Sequence, residues 1–281
     1  MLFKKLAVFV GAAFLVAAPA FAGPVSLMCG NTELAPASVE QAIASKIASK
    51  QSARVAGTTA ANQLTASIPV YWHVITDGSQ GQLSSSAISS SVSALNSNFQ
   101  GTGLSFFLAG SETTVNSNWF NNVNQGTSAE ASMKNTLRQG GANALNVYTV
   151  NFQGGLLGYA TFPWSYSSAP KNDGIVIQYS TYPNGPLTGY NTGKVLVHEA
   201  GHWVGLYHVF QGGCSSPGDY VSDTAPQSKV TSGCPSFQDS CSGGGADNIN
   251  NHMDYSVDSC RKSFTAGQIE RLSTMMDTYR V

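Results

Sequence analysis

Apolar and polar residues alternate from Ile68 to Ile75, and the same period returns at Leu104 to Leu108 and at Leu145 to Asn151. A period of two marks strands that turn one face to a core. Ser84 to Phe99 and Ala129 to Arg138 repeat their apolar positions every three or four residues, which predicts helices. Leu156 to Phe162 and Ile175 to Gln178 read as further strands, and Thr265 to Tyr279 as a closing helix. Ahead of the first strand, Pro36-Ala37-Ser38 has the composition of a helix start, so Val39 to Lys50 should form a short, weakly amphipathic helix. Ala56 to Asn62 has the small, polar character of a linker. No segment repeats. This order predicts an α/β (α+β) fold, in which a lobe with a twisted mixed sheet and helices precedes an irregular, loop-rich lobe.

One segment departs from these patterns. His198 to His208 reads His-Glu-Ala-Gly-His-Trp-Val-Gly-Leu-Tyr-His, five specified positions that chance supplies on the order of once in a hundred thousand such chains. On a helix His198 and His202 share a face and can grip one ion, with Glu199 beside it. His208 would point elsewhere on the same straight helix, so the chain must turn, and Gly205 tolerates the left-handed conformation of a helix end. Three neutral imidazoles suit zinc and leave a fourth position for water. Glu199 is then the natural general base for that water. A purely structural zinc site would ordinarily fill the fourth position with a fourth Cys or His.

Downstream, Asn251-His252-Met253-Asp254-Tyr255 places Met253 where zinc proteases with the long motif carry a methionine turn. The chain resembles a metzincin zinc peptidase, and within that clan the pappalysin family, especially its secreted fungal and bacterial members. The matching residues run from Gly158 to Pro163, Asp173 to Ile177 and Tyr190 to Gly193, then through the zinc motif. They continue over Phe210 to Cys214, Gly218 to Thr224, Gly233 to Pro235 and Met253 to Ser256, with Cys260, Phe264, Thr265 and Gln268. The likeness covers roughly residues 145 to 280 and is loose before that. It implies a metzincin-type catalytic domain acting as a zinc endopeptidase on extended polypeptide substrates. These would add to the strand around Gly158 to Phe162. It further implies that Tyr255 approaches the metal or the oxyanion, and that Asp219, Asp223 and the carbonyl of Thr224 form a calcium loop. Asp258 would border the pocket for the residue after the scissile bond and draw Arg or Lys there. Other readings are an astacin-like or reprolysin-like protease, and a catalytically idle zinc-dependent binding protein, against which the intact Glu199 argues.

The N-terminus bears on where this chemistry operates. Lys4 and Lys5, the apolar run Leu6 to Ala18 and Ala20-Phe21-Ala22 make residues 1–22 a signal peptide, too short in its apolar core to anchor in a membrane. Residues 23–66 then form a propeptide and linker, with Arg54 a candidate cleavage site, and residues 67–281 the catalytic domain. The net charge of −1 becomes −3 without Lys4 and Lys5, which argues against nucleic acid or an anionic membrane as partner. The expected product is a secreted, extracellular monomer without Asn-x-Ser/Thr sequons. Of five cysteines, Cys214, Cys234, Cys241 and Cys260 follow the zinc motif, and an exported chain can oxidise them in any of three pairings. The resemblance favours Cys214–Cys241 and Cys234–Cys260. Cys29 is left in the propeptide, where its thiolate could fill the open zinc position and impose latency. Related proteases have a Cys-Gly-Thr motif after a basic residue; here the residues are Met28-Cys29-Gly30-Asn31. His73 reads as a hydrogen-bonded histidine of a strand, and His252 as part of the turn.

Overall fold

The computed structural model describes residues 28–57 and 64–281. The signal peptide at 1–22 and most of the linker at 56–62 lie outside them. In chain order the elements are helix α1 (Ala37–Val55), strand β1 (Ala66–Thr76), helix α2 (Ser85–Asn98), strand β2 (Leu104–Val115), helices α3 (Ser117–Asn122) and α4 (Ser128–Leu137), and strands β3 (Leu145–Val150), β4 (Gly158–Ala160) and β5 (Ile175–Gln178). Helices α5 (Lys194–Trp203) and α6 (Ala266–Tyr279) follow. Most stand within a residue or two of their sequence expectations. The exceptions have physical causes. Strand β2 continues to Val115 because it lies on the sheet edge, where Ser111 to Thr114 need no apolar partners. The strand expected over Leu156 to Phe162 keeps only three residues, since Pro163 turns the chain. Helix α3 is too short for a periodic signal and starts on the Asn116 cap.

The sheet has the order β2-β1-β3-β5-β4, parallel throughout except for β4, which runs antiparallel to β5 at one edge. Alternation sorts the two cores. Val70, Trp72 and Val74 of β1 and Leu145 and Val147 of β3 join α2 and α5 on one face, while Tyr148 and Val150 meet α3 and α4 on the other. Helix α5 is thereby packed directly behind β4 and β5, buried at every position after Lys194.

Between α5 and α6 no helix or strand forms among the described residues. This lobe is held by the disulfides Cys214–Cys241 and Cys234–Cys260, each with Cα atoms 5.4 Å apart. Asp254, fully buried, accepts from Thr231 N, Gln227 Nε2, Tyr255 N and the Thr231 hydroxyl. Asp173 takes both Arg280 nitrogens and Trp203 Nε1, tying the last helix to the end of α5. Helix α1 lies on α6 through Glu40, whose carboxylate receives Arg271 in a bidentate pair at 2.7 and 2.8 Å and the Tyr207 hydroxyl at 2.7 Å.

Helix α5 stops at a Schellman turn. Leu206 N donates to Gly201 O and Gly205 N to His202 O, both at 2.9 Å, with Gly205 at φ +101°. A Cβ at Gly205 would lie 2.5 Å from Met275 Cγ. Gly205→Ala should therefore lower stability by about 2–4 kcal/mol, combining left-handed strain with overpacking. Denaturant midpoints would check this, and a loss under about 1 kcal/mol would show that the turn can relax.

Candidate active site

Helix spacing stacks His198 and His202 on one face of α5, and the Schellman turn swings the chain so that His208 returns to the same point. The rings are fixed from behind. His198 Nδ1 donates to His252 O and His202 Nδ1 to Leu206 O, each at 2.7 Å. A donor at Nδ1 leaves the Nε2 lone pair free for a metal. His198 Nε2 is buried without a partner, and His202 Nε2 lies 3.1 Å from His208 Nε2. The ligating atoms of these three histidines and Cys29 all fall within 4.8 Å of one another. Burial keeps the imidazoles neutral, pushing His202 down to about 4 and His198 and His208 well below their usual value. Neutral, convergent imidazoles with orphaned lone pairs fit a zinc ion.

Glu199 points to the same place. Its Oε2 accepts from Cys29 Sγ at 3.4 Å and its Oε1 has no partner. Burial pushes its carboxyl up to about 8. Strand β4 presses against it so closely that a Cβ at Gly158 would sit 2.8 Å from Glu199 Cγ. Beneath the helix, Met253 fills the space at Gly201, where an added Cβ would meet Met253 Sδ at 2.3 Å.

The segment around Cys29 runs through this cleft as an extra strand. Leu157 N donates to Met28 O at 3.0 Å, Gly30 N to Gly158 O at 2.9 Å, and Asn31 exchanges two 2.8 Å bonds with Ala160. The Tyr255 hydroxyl donates to Cys29 O at 3.0 Å. Burial, then the negative Glu199, raises the Cys29 thiol well above its ordinary value.

Other candidates take structural positions. His73 bonds Glu112 and Asn146 at 2.8 and 2.9 Å and stacks on Tyr148. His252 contributes its carbonyl to His198 and packs its ring on Phe264. Asp219 and Asp223, expected as calcium ligands from the resemblance, both take part in hydrogen bonds, and Asp219 Oδ2 is buried without a partner. Asp223 uses its carboxylate on the Thr265 hydroxyl and Gly267 N, at the N-terminus of α6, while Asp219 receives Thr224 Oγ1 and Val221 N. Asp258 is held within the fold. It is 1% exposed, and its carboxylate is taken by Arg261, Thr192 N and Thr192 Oγ1, so it presents no open carboxylate to a basic side chain. Sequence reasoning did not find Arg261 or the carbonyls of His252 and Leu206. A lone Arg after a Cys and two backbone oxygens carry no signal.

A family model described as pregnancy-associated plasma protein-A matches residues 129–277. An extracellular metalloprotease of Sordaria macrospora is 42% identical over 259 residues, covering 90% of this chain and 88% of its own. Mature mirolysin of Tannerella forsythia, solved in complex with a cleaved peptide, superposes with a TM-score of 0.64 at 28% identity, covering 76% of this chain and 92% of its own. A promirolysin mutant of the same organism reaches 0.66 at 26% identity, covering 90% and 94%.

The site's ionisation gives stability a defined pH dependence. Below about 6.5 an unfolded histidine binds a proton that the buried imidazoles refuse, so stability falls as pH drops from 6.5 towards 4. Glu199 works oppositely. Raised from 4.5 to about 8, it keeps its proton on folding, and that contribution is lost as pH rises through this window. Since several histidines oppose one carboxyl below 6.5, denaturant midpoints of the metal-free protein should peak near pH 6.5. Midpoints rising steadily down to pH 4 would contradict the neutral-imidazole site.

Proposed function

The chain belongs to the pappalysin family of zinc metalloproteases, and from that we propose a secreted, monomeric endopeptidase made as a latent precursor. His198, His202 and His208 hold one zinc ion in this reading, and Glu199 is the general base. The observation that carries it is the convergence of three Nε2 atoms beside a buried carboxyl with an unpartnered oxygen. The extracellular relatives support secretion, and no helix among the described residues is long and apolar enough to cross a membrane.

When bound, zinc supplies an electrophile that polarises the scissile carbonyl and lowers the pKa of water. The protein's own groups do the rest. Glu199, in its ionised form, accepts the water proton and passes it to the leaving amine. Tyr255 donates its hydroxyl to the developing oxyanion, the bond it gives here to Cys29 O. The edge of β4 aligns an extended polypeptide by main-chain hydrogen bonds, as it aligns Met28 to Gly30. The Cys29 segment thus occupies the substrate's place, with its thiol at the histidines, its carbonyl on Tyr255 and its backbone on β4. This arrangement supports its role as the chain's own inhibitor. Arg54, paired with Glu270 in the last turn of α1, remains the candidate for maturation cleavage.

Glu199→Gln should keep zinc and lose hydrolysis by at least about 100-fold, since general-base catalysis is typically worth that much. His208→Ala should instead lose zinc. Metal analysis beside a protein-cleavage assay with and without chelator separates the two, and near-normal turnover of Glu199→Gln would overturn the assignment and leave room for an idle binding protein.

A Cys29→Ala precursor should hydrolyse a small peptide sooner after folding than the unaltered precursor. Equal lag times would show that the thiol is incidental to latency.

A further inference from the structure

Helix α1 is fastened to α6 by a contact that the zinc chemistry does not use. Arg271 donates to Glu40 through Nη1 at 2.8 Å and Nη2 at 2.7 Å, and the Tyr207 hydroxyl donates to the same carboxylate at 2.7 Å. The receiving side is built without help from α1. Arg271 Nε donates to Gly205 O at 3.0 Å, and the guanidinium lies 4.9 Å from the Tyr207 ring centre and 5.6 Å from that of Tyr220. An arginine anchored at Nε and held against two aromatic rings offers a fixed fork to a carboxylate. Its Nη1 and Nη2 face Glu40, so it is α1 that covers the fork.

This receptor continues the track that starts at the histidines. Asn31 bonds Ala160 at the end of β4, Ala35 N donates to the Tyr207 hydroxyl at 2.8 Å, and Glu40 follows in the first turn of α1. Tyr207 directly precedes His208. Its ring centre lies 5.5 Å from that of Phe162, which packs edge-on to His202 at 5.4 Å. Beyond Glu40 the charges reverse: Lys50 and Arg54 of α1 pair with Asp277 and Glu270 of α6.

We propose that removal of residues 23–66 turns this contact into a substrate-binding site remote from the scissile bond, where Arg271 and the Tyr207 hydroxyl receive one Asp or Glu side chain of a polypeptide. The inference rests on the peptidase reading with its cleaved propeptide, and adds a substrate class to it. Without Glu40 the fork keeps its anchor at Gly205, so a carboxylate brought to it finds the donors already placed. Glu270 and Asp277, freed at the same time, favour basic residues near that acid and disfavour an unbroken acidic run. The class selected is a long chain with an isolated acidic residue among basic ones. A short peptide does not reach the site.

The test uses the mature, zinc-loaded enzyme, with its N-terminus sequenced and its mass measured under native conditions. Peptides cut at one bond carry a single Glu, scanned outwards on both sides over a span equal to that from Cys29 to Glu40, each beside its Gln counterpart. In one window away from the cut, Glu should lower KM by about tenfold against Gln with kcat unchanged, the signature of remote binding. Surrounding that Glu with further Glu should raise KM again. Arg271→Gln should erase the gain and leave hydrolysis of a short peptide as it was. Because Arg271→Gln also loses the bond to Gly205 O, Tyr207→Phe serves as a second variant that removes only a hydroxyl, and it should cut the gain by about threefold. A scan in which no position favours Glu overturns this inference alone, as does a preference that survives in both variants. A mature enzyme that still holds Glu40, joined or bound, overturns it too. An unaltered enzyme that cleaves no peptide overturns the peptidase reading and this inference with it.

Discussion

Three imidazoles can meet at one point only if their rings cannot turn, and here two backbone carbonyls prevent it. The bonds from His198 to His252 O and from His202 to Leu206 O fix ring planes and tautomers together. Much of the molecule is arranged to keep those two oxygens still. Leu206 is placed by the Schellman turn and by Met275 packed against Gly205, and His252 by its backbone bond to Ser263 and by Met253 under Gly201. The disulfides and the buried Asp254 then make rigid a lobe that lacks regular structure. A loop-rich half is therefore a supporting shell for the metal site rather than a decoration of it.

The sheet meets the same site from the other side. Its single antiparallel strand, β4, offers an edge at the Glu199 carboxyl, and an open edge is a template for any extended chain. Residues 28–31 satisfy it. The approach is close because position 158 is glycine; any side chain there would displace Glu199. On the proposed reading, substrate alignment and base positioning share one backbone.

Much of this was legible in the sequence, for reasons that differ by residue. The strands and long helices followed from periodicity because both sheet faces are covered by apolar cores. The histidine motif was legible because coordination demands fixed spacing on a helix. What escaped was made by long-range contact. Asp258 looked like an open carboxylate because its partner, Arg261, has meaning only after the chain folds back to Thr192 and Lys194. The contacts of Asp223 with Thr265 and Gly267 were out of reach for the same reason, since they form only once α6 is in place. The docking of α1 was equally hidden. Its weak amphipathicity concealed one deeply buried contact, Glu40 with Arg271 and Tyr207.

That contact has a kinetic corollary. Breaking a buried, bidentate ion pair is strongly unfavourable when either half is left alone inside the fold. That pair helps hold the segment from Met28 to Val55 on the fold. While it is covalently joined, its effective concentration at the cleft is set by the tether and is insensitive to dilution. Once the tether is cut, occupancy follows mass action. On the proposed reading, the same cleaved molecule would stay capped in a crowded secretory compartment and uncap on reaching a large external volume, so that dilution itself is the last step of activation.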